Sequence, residues 1–202
     1  MSLQNRVIPT GQIVAIPERG TLMGNRGILH DDMRVLQTRR WQHPHWVTCV
    51  LSFKNRHRTV MSPRRYTELF FLDEPTALAA GHRPCGECRR ADFVKFKALF
   101  NAANHTESLK DIDRLMQAQR VTRSRDQVTF KADCRALPDG TYVLHENSPH
   151  LIWKDRLLHF TPSGYDHSAA VPKHEVTVLT PACTVKTLAH GYCAKPHPSA
   201  LA

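Results

Sequence analysis

The chain has 202 residues, of which 41% are hydrophobic and 23% charged, and its net charge is +10. These proportions are close to those of ordinary globular proteins, so we expect a packed core in one large domain or two small ones. No apolar run approaches the roughly 18–20 residues that span a bilayer, and the first residues lack the apolar stretch of a signal peptide, which predicts a soluble, cytoplasmic protein without a membrane partner.

Short β-strands separated by loops are predicted before residue 72. Residues 46–53 are rich in β-branched and aromatic side chains and predict a buried strand, which a turn at 54–56 connects to a hairpin partner. Three glycines between Gly20 and His30 predict a loop. In chain order, the predicted strands are residues 13–16, 46–53, 57–61 and 66–72.

Helices are predicted from residue 73 onward. Asp73 is a suitable N-cap, Pro75 fits the first turn because its missing N–H costs nothing there, and Gly81 is a natural stop. Longer helices are predicted over residues 91–100 and 108–120. The first of these carries phenylalanine and leucine side chains at helical spacing, which predicts a face that packs in the core.

The second part of the chain, from residue 127, is rich in strand candidates separated by turns such as Pro162-Ser163-Gly164. A final helix is predicted over residues 181–190. The predicted strands are residues 127–131, 141–144, 151–153, 157–160 and 175–179. We therefore predict an α+β fold: a basic domain of a small β-sheet plus helices at residues 1–121, and a small β-rich domain with a C-terminal helix at 127–202. The two can share one core.

The Cys85-Gly86-Glu87-Cys88 turn is the strongest metal-binding signal in the sequence. Two thiolates at this spacing can hold one zinc ion from a single tight turn. A thioredoxin-like redox site would require a strand before the motif, and here a helix is predicted before it. Two buried free thiols are the remaining alternative. In a reducing compartment, cysteines serve more often as metal ligands or buried thiols than as disulfides.

A known zinc domain has the same arrangement of residues around its cysteines. The segment carries the aromatic pair Phe70-Phe71, the helix end Ala77-Leu78-Ala79-Ala80-Gly81, and then Arg83-Pro84-Cys85 and Cys88. It resembles the N-terminal zinc domain of the Ada-type alkylation-response methyltransferases. The longer string from Tyr66 also resembles uncharacterised bacterial proteins with an Ada-like zinc domain, which implies no activity. The resemblance implies an Ada-like zinc-knuckle domain and a link to DNA repair or modification.

The remaining zinc ligands differ from those of the resembled family. There, four cysteines hold the zinc, and one of the upstream pair takes a methyl group from a DNA phosphotriester. The positions implied for that pair are Lys54 and Arg58, which cannot be thiolate nucleophiles, so we expect no methyl-acceptor chemistry. Cys49 on the adjacent strand and His57 beside the implied position are the candidates to complete the site. Weaker candidates are His30, His82 and Cys134.

Positive charge is concentrated in the first third of the chain. Residues 1–65 contain 11 Lys and Arg against 3 Asp and Glu, a net of +8, whereas residues 66–202 contain 17 against 15. Such an imbalance favours DNA or another nucleic acid as partner, although a basic surface that only aids solubility has the same composition. The candidate phosphate contacts are Lys54, Arg56, Arg58, Arg64, Arg65, Arg83, Arg89 and Arg90.

Three functions are compatible with these patterns. The first is a zinc-binding, DNA-binding protein linked to DNA repair or modification. The second is a hydrolase-like zinc enzyme acting on nucleic acid or a nucleotide, with Glu68, His82 and Tyr66 as weak catalytic candidates that can equally be structural. The third is a zinc-stabilised protein-interaction module, which would require an exposed apolar patch on the strands of residues 127–180.

Overall fold

The fold is a mixed α+β arrangement of two six-stranded β-sheets and four α-helices. It was obtained as a computed structural model that describes residues 2–56 and 59–201. The mixed class agrees with the prediction. Within the described residues no helix combines the length and the apolar character needed to cross a membrane.

The first sheet is built from six short strands with the order β2-β1-β5-β3-β4-β6. Two of its pairings, β1 with β5 and β4 with β6, are parallel and the others antiparallel. The parallel pairing of β4 with β6 brings together two segments that are far apart in sequence. The strands are β1 (Arg6–Val7), β2 (Ile13–Val14), β3 (Leu22–Asn25), β4 (Val47–Val50), β5 (Leu69–Phe71) and β6 (Arg83–Pro84).

Strand β3 corrects the prediction of a loop over residues 20–30. It lies between β5 and β4 and pairs with both. Its Gly24 approaches its neighbour so closely that a Cβ there would lie 2.2 Å from the Val47 carbonyl oxygen. The same glycine that suggested a loop is therefore required by close strand packing. The predicted hairpin partner at 57–61 is also wrong in its described part, because residues 59–61 form no strand and positions 57 and 58 lie outside the described residues.

The second sheet is entirely antiparallel, with the order β11-β10-β9-β8-β12-β7. Two-residue turns at Glu146-Asn147 and Lys154-Asp155, all with positive φ, connect its central hairpins. The strand over residues 164–170 was not predicted, because its polar and small side chains lack a strand signal. The strands are β7 (Phe130–Asp133), β8 (Tyr142–His145), β9 (Ser148–Trp153), β10 (Arg156–Thr161), β11 (Gly164–Ala170) and β12 (Glu175–Val178).

The four helices lie close to their predicted positions: α1 (Glu74–Ala79), α2 (Arg90–Asn104), α3 (Leu109–Arg120) and α4 (Ala182–Ala189). Asp73 caps α1 as predicted, because its carboxylate accepts a hydrogen bond of 2.9 Å from the Thr76 amide. At the start of α3, Ser108 and Asp111 form a reciprocal capping box. Side-chain caps therefore mark the starts of α1 and α3, whereas α2 and α4 begin without one.

Helix α1 occupies the centre of the fold, and all six of its residues are buried. Ala77 packs with the first sheet, Leu78 with helices α2, α3 and α4, and Ala79 with the second sheet. Alanine suits this position because a small side chain lets neighbouring layers approach closely. Packing thus crosses the predicted boundary near residues 121–127.

The glycine that follows α1 offers a test of this central packing. Gly81 has a φ of +78°, and a Cβ there would lie 2.4 Å from Cδ and 2.7 Å from Cβ of Arg120. We expect Gly81→Ala to lower the free energy of unfolding by about 2–4 kcal/mol, through backbone strain and a steric clash. Urea denaturation followed by circular dichroism would measure the change.

Gly191, which follows α4, provides the matched control. Its φ is +97°, but a Cβ there would meet nothing within 4 Å. Gly191→Ala should therefore cost only the backbone strain, about 1 kcal/mol. Equal losses of unfolding free energy in the two variants would show that a clash with Arg120 does not contribute to the effect of Gly81→Ala.

Candidate metal centre

Three cysteines from two parts of the first half, strand β4 and the Cys85–Cys88 turn, meet at one edge of the first sheet. Cys49 lies on β4, Cys85 directly follows β6, and Cys88 lies in the turn before α2. Their sulfur atoms all lie within 4.8 Å of one another, and all three side chains are partly buried. The structure thus gathers three of the four predicted ligands into a group that can hold a metal ion.

The backbone holds this group through the pairing of β4 with β6. The Cys85 amide donates a hydrogen bond of 2.9 Å to the Thr48 carbonyl, which places Cys85 beside the strand that carries Cys49. The Glu87 amide points back at the Cys85 sulfur, at 3.4 Å. Backbone amides directed at a sulfur favour its thiolate form, which is the form that binds metal.

The three cysteine thiols differ in how readily they ionise. A hydrogen bond from Cys49 is the largest cause that lowers the pKa of Cys85, to about 5. The pKa of Cys49 is raised, first because of that same hydrogen bond and second because of burial. Burial also raises the pKa of Cys88. Cys85 is therefore the sulfur most readily present as a thiolate, with the other two arranged around it.

Two buried arginines flank the cysteine turn and fix its ends. Arg83 forms a bidentate pair with Asp113, with contacts of 2.7 and 2.9 Å, and Arg89 bonds Glu74 at 2.6 Å and Asp92 at 2.8 Å. Their side chains are only 5% and 4% exposed. Both were predicted to contact nucleic-acid phosphates. The structure instead pairs them with carboxylates inside the protein, because a buried guanidinium requires a counter-charge.

The cysteines open into a cavity of about 990 Å³ whose lining is mostly apolar and includes aromatic rings, three arginines and two glutamates. Arg6 and Arg19 from the N-terminal segment line it, and Arg6 lies 4.8 Å from the centre of the Phe70 ring. Phe53 and Tyr66 are further aromatic side chains in its wall. Arg6 and Arg19 were not predicted as site residues, because only net charge, and no motif, marks them.

The other predicted basic contacts are exposed where they are described. Lys54 and Arg56 both approach Glu87 of the cysteine turn, at 3.9 and 2.9 Å. Arg64, Arg65 and Arg90 are also exposed. Arg58 and the candidate ligand His57 lie outside the described residues.

The three candidate catalytic residues have different surroundings. Glu68 and Tyr66 line the cysteine cavity, and Glu68 is buried and accepts a hydrogen bond of 2.7 Å from the Met61 amide. His82 does not belong to this cavity: it is fully buried against Trp46 and Phe71, and burial lowers its pKa well below the usual value. Burial therefore favours the neutral imidazole, whose Nε2 atom accepts a hydrogen bond of 3.3 Å from Arg26.

The two other weak ligand candidates also lie elsewhere. His30 hydrogen-bonds the Thr67 hydroxyl at 2.6 Å and the Ser62 carbonyl at 3.2 Å. Cys134 packs in the core of the second sheet. Neither belongs to the group of sulfur atoms.

A second group with metal-ligand chemistry lies on the second sheet. Asp166 and His167 on β11 and His159 on β10 bring their ligand atoms within 4.8 Å. Both imidazoles bond the same Asp166 oxygen, at 2.8 and 2.7 Å. This group was not predicted from the sequence, because strand β11 was itself not predicted.

Comparison with protein-family models, curated proteins and solved structures finds no match to this chain.

Proposed function

We propose that the protein binds zinc through Cys49, Cys85 and Cys88 and binds nucleic acid over the adjoining basic surface. The observation that carries the proposal is the gathering of three sulfur atoms at the wall of a cavity lined by arginines and aromatic rings. Thiolates of this number and spacing suit zinc, which is commonly held by Cys-rich tetrahedral sets.

The nucleic-acid part of the proposal rests on exposed cations, of which Arg56 lines that cavity. Lys54, Arg56, Arg64 and Arg65 are exposed and lie in the segment that separates β4 from β5. Aromatic rings beside positive side chains are typical of surfaces that grip phosphates and stack on bases. The resemblance to the Ada-type zinc domain adds the expectation of a role in DNA repair or modification, without methyl-acceptor chemistry because Lys54 and Arg58 stand at the positions implied for the upstream cysteines.

Charge reversal at two exposed arginines tests the nucleic-acid surface. We expect Arg64→Glu combined with Arg65→Glu to weaken duplex DNA binding at low salt. If each arginine contacts one phosphate, the slope of log affinity against log salt should become shallower by about 1.8. Fluorescence anisotropy of a labelled duplex, measured over a series of salt concentrations, would give both quantities.

A matched control separates local contacts from overall charge. Lys154→Glu combined with Arg156→Glu changes the net charge by the same amount on exposed residues of the second sheet. This control should retain the slope of the unmodified protein. Equal weakening in both variants would reject a defined surface at residues 64 and 65.

The second candidate function is a zinc enzyme acting on nucleic acid or a nucleotide. It is favoured by the position of the three cysteines at a cavity that Glu68 and Tyr66 also line. A catalytic zinc ion typically has three protein ligands and one open coordination position, whereas a structural zinc ion has four protein ligands. X-ray absorption of the zinc-loaded protein and of His57→Ala would discriminate: an unchanged coordination sphere in the variant supports an open position.

The interaction-module alternative lacks such support. The exposed large hydrophobic residues among those described all lie outside the strands of residues 127–180.

A further inference from the structure

A second cavity, of about 690 Å³, is lined by four arginines, two tryptophans and one carboxylate, the exposed Asp126, and contains no cysteine. Arg26 and Arg120 are each 3% exposed, whereas Arg40 is partly buried and Arg125 is exposed. Trp41 and Trp46 contribute the aromatic part of the wall, with ring centres 6.0 Å apart. In the sequence, Arg40 and Trp41 belong to the basic–aromatic run Arg39-Arg40-Trp41, a mixture that can grip phosphates and stack on bases. No sequence pattern marks the other arginines or Trp46.

Arg26 is buried without a carboxylate partner among the described residues. Its Nε donates to the Nε2 atom of His82 at 3.3 Å, and its Nη1 makes only a long contact of 3.5 Å with the Gly11 carbonyl. Its Nη2 is buried and has no hydrogen-bond partner among the described residues. The guanidinium lies 4.1 Å from the centre of the Trp46 ring.

Arg120 places a second buried cation against the same ring, 3.7 Å from its centre. Its Nη1 and Nη2 atoms donate to the carbonyls of Gly81 and Pro44, at 2.8 and 2.7 Å. Asp113 is the carboxylate that most affects Arg120, but it is already paired with Arg83. Two guanidinium groups thus share one aromatic ring without a carboxylate partner of their own among the described residues.

Such an arrangement costs free energy unless a negative charge is supplied. An unpaired ion in the protein interior carries a penalty of several kcal/mol even after relaxation. Burial, and then the nearby Arg40, lower the pKa of Arg26 to about 9. Elsewhere in the described chain, the buried arginines Arg83 and Arg89 are neutralised by carboxylates. Arg26 and Arg120 are the exceptions, and both line this cavity.

We propose that this cavity binds the terminal phosphate of a nucleotide, free or at the end of a nucleic-acid chain. Arg26 and Arg120 would neutralise the phosphate inside the cavity, with Arg40 and Arg125 completing the positive lining. Trp41 lines the same cavity and can stack with the base. Arginine suits this role because its planar guanidinium matches phosphate oxygens in bidentate fashion. The site does not depend on the metal centre or on the nucleic-acid surface at residues 64 and 65.

A pair of neighbouring arginines provides the matched test. Arg40 lines the cavity, whereas Arg39 is exposed and does not. Isothermal titration of the full chain with adenosine monophosphate should show affinity about tenfold weaker for Arg40→Ala, and no change for Arg39→Ala. Adenosine without phosphate should not bind, and inorganic phosphate should compete. Equal affinities for the two variants, or equal binding of adenosine, would overturn the proposal.

A second variant removes the buried charge itself. Arg26→Met should abolish binding of adenosine monophosphate while the free protein stays as resistant to heat as before or becomes more so, because an unpaired ion has been removed. Retained binding would overturn the proposal. If this variant does not fold, the comparison of Arg40→Ala with Arg39→Ala decides the matter alone.

Two further measurements identify the source of the phosphate and separate this proposal from the previous one. Oligonucleotides with and without a 5′ phosphate would distinguish a nucleic-acid end from a free nucleotide. If Arg19→Ala, in the cysteine cavity, weakens binding and Arg40→Ala does not, the phosphate binds in the other cavity and the proposal fails.

Discussion

Replacement of Cys85 and Cys88 by serine is expected to reduce the zinc content of the purified protein from one equivalent to none at this centre. Serine cannot supply a thiolate, and Cys49 alone cannot retain the ion. Structural zinc contributes on the order of 10 kcal/mol to the folding of its surroundings. Because whole domains are stable by only about 5–15 kcal/mol, the variant should unfold at a much lower denaturant concentration.

Metal analysis by mass spectrometry and a urea titration would check both expectations. Cys193→Ser is the matched control, because this thiol is exposed and does not belong to the sulfur group. His167→Ala tests whether the group on the second sheet contributes to the measured metal. Full zinc retention by the double-serine variant would show that the metal is not bound at these cysteines. That result would contradict the proposed function.

Removal of the Asp113 carboxylate is expected to have the second large effect. Asp113 accepts both hydrogen bonds from the buried Arg83 and a third, of 2.7 Å, from His45. Breaking a buried ion pair by removing one partner costs about 3–5 kcal/mol, because the other charge remains unpaired inside the protein. Asp113→Ala should lose this amount of unfolding free energy. It should also bind zinc more weakly, because Arg83 belongs to the strand directly before Cys85.

Asp111 on the same helix is the control for this prediction. Its carboxylate is partly exposed and serves in the capping box with Ser108. Asp111→Ala should cost about 1 kcal/mol and leave zinc affinity unchanged. Similar losses in unfolding free energy for both variants would mean that Arg83 finds another partner or solvent when Asp113 is absent.

Arg83 and Arg89 show that arginines beside a cysteine pair can form buried ion pairs instead of binding phosphate. Arginines beside a Cys-x-x-Cys turn are suitable for phosphate contacts, and the local sequence offers only Asp92, three residues after Arg89, as a carboxylate partner. Their other carboxylate partners, Asp113 and Glu74, are 30 and 15 residues away. The fold uses these two arginines to anchor the turn, while the described cations of segment 54–65 remain exposed.

The second cavity was only partly accessible to sequence reasoning. The basic–aromatic run Arg39-Arg40-Trp41 is of a kind that can grip phosphates, whereas Arg26 and Arg120 come from distant parts of the chain and have no motif around them. Their meeting depends on Trp46, whose ring contacts both of them. A buried charge can be recognised as unpaired only when every neighbour of the side chain is known. Those neighbours are set by tertiary packing.

The sequence alone was sufficient to predict features whose interacting residues are close together in the chain. The Cys85–Cys88 spacing indicated a metal ligand pair, the capping oxygen of Asp73 marked the start of α1, and Gly81 marked its end, because each acts within a few residues. Tertiary structure alone decided that Cys49 joins that pair and that β3 is a strand. Both depend on the register between distant strands, and that register is set by burial across the whole fold.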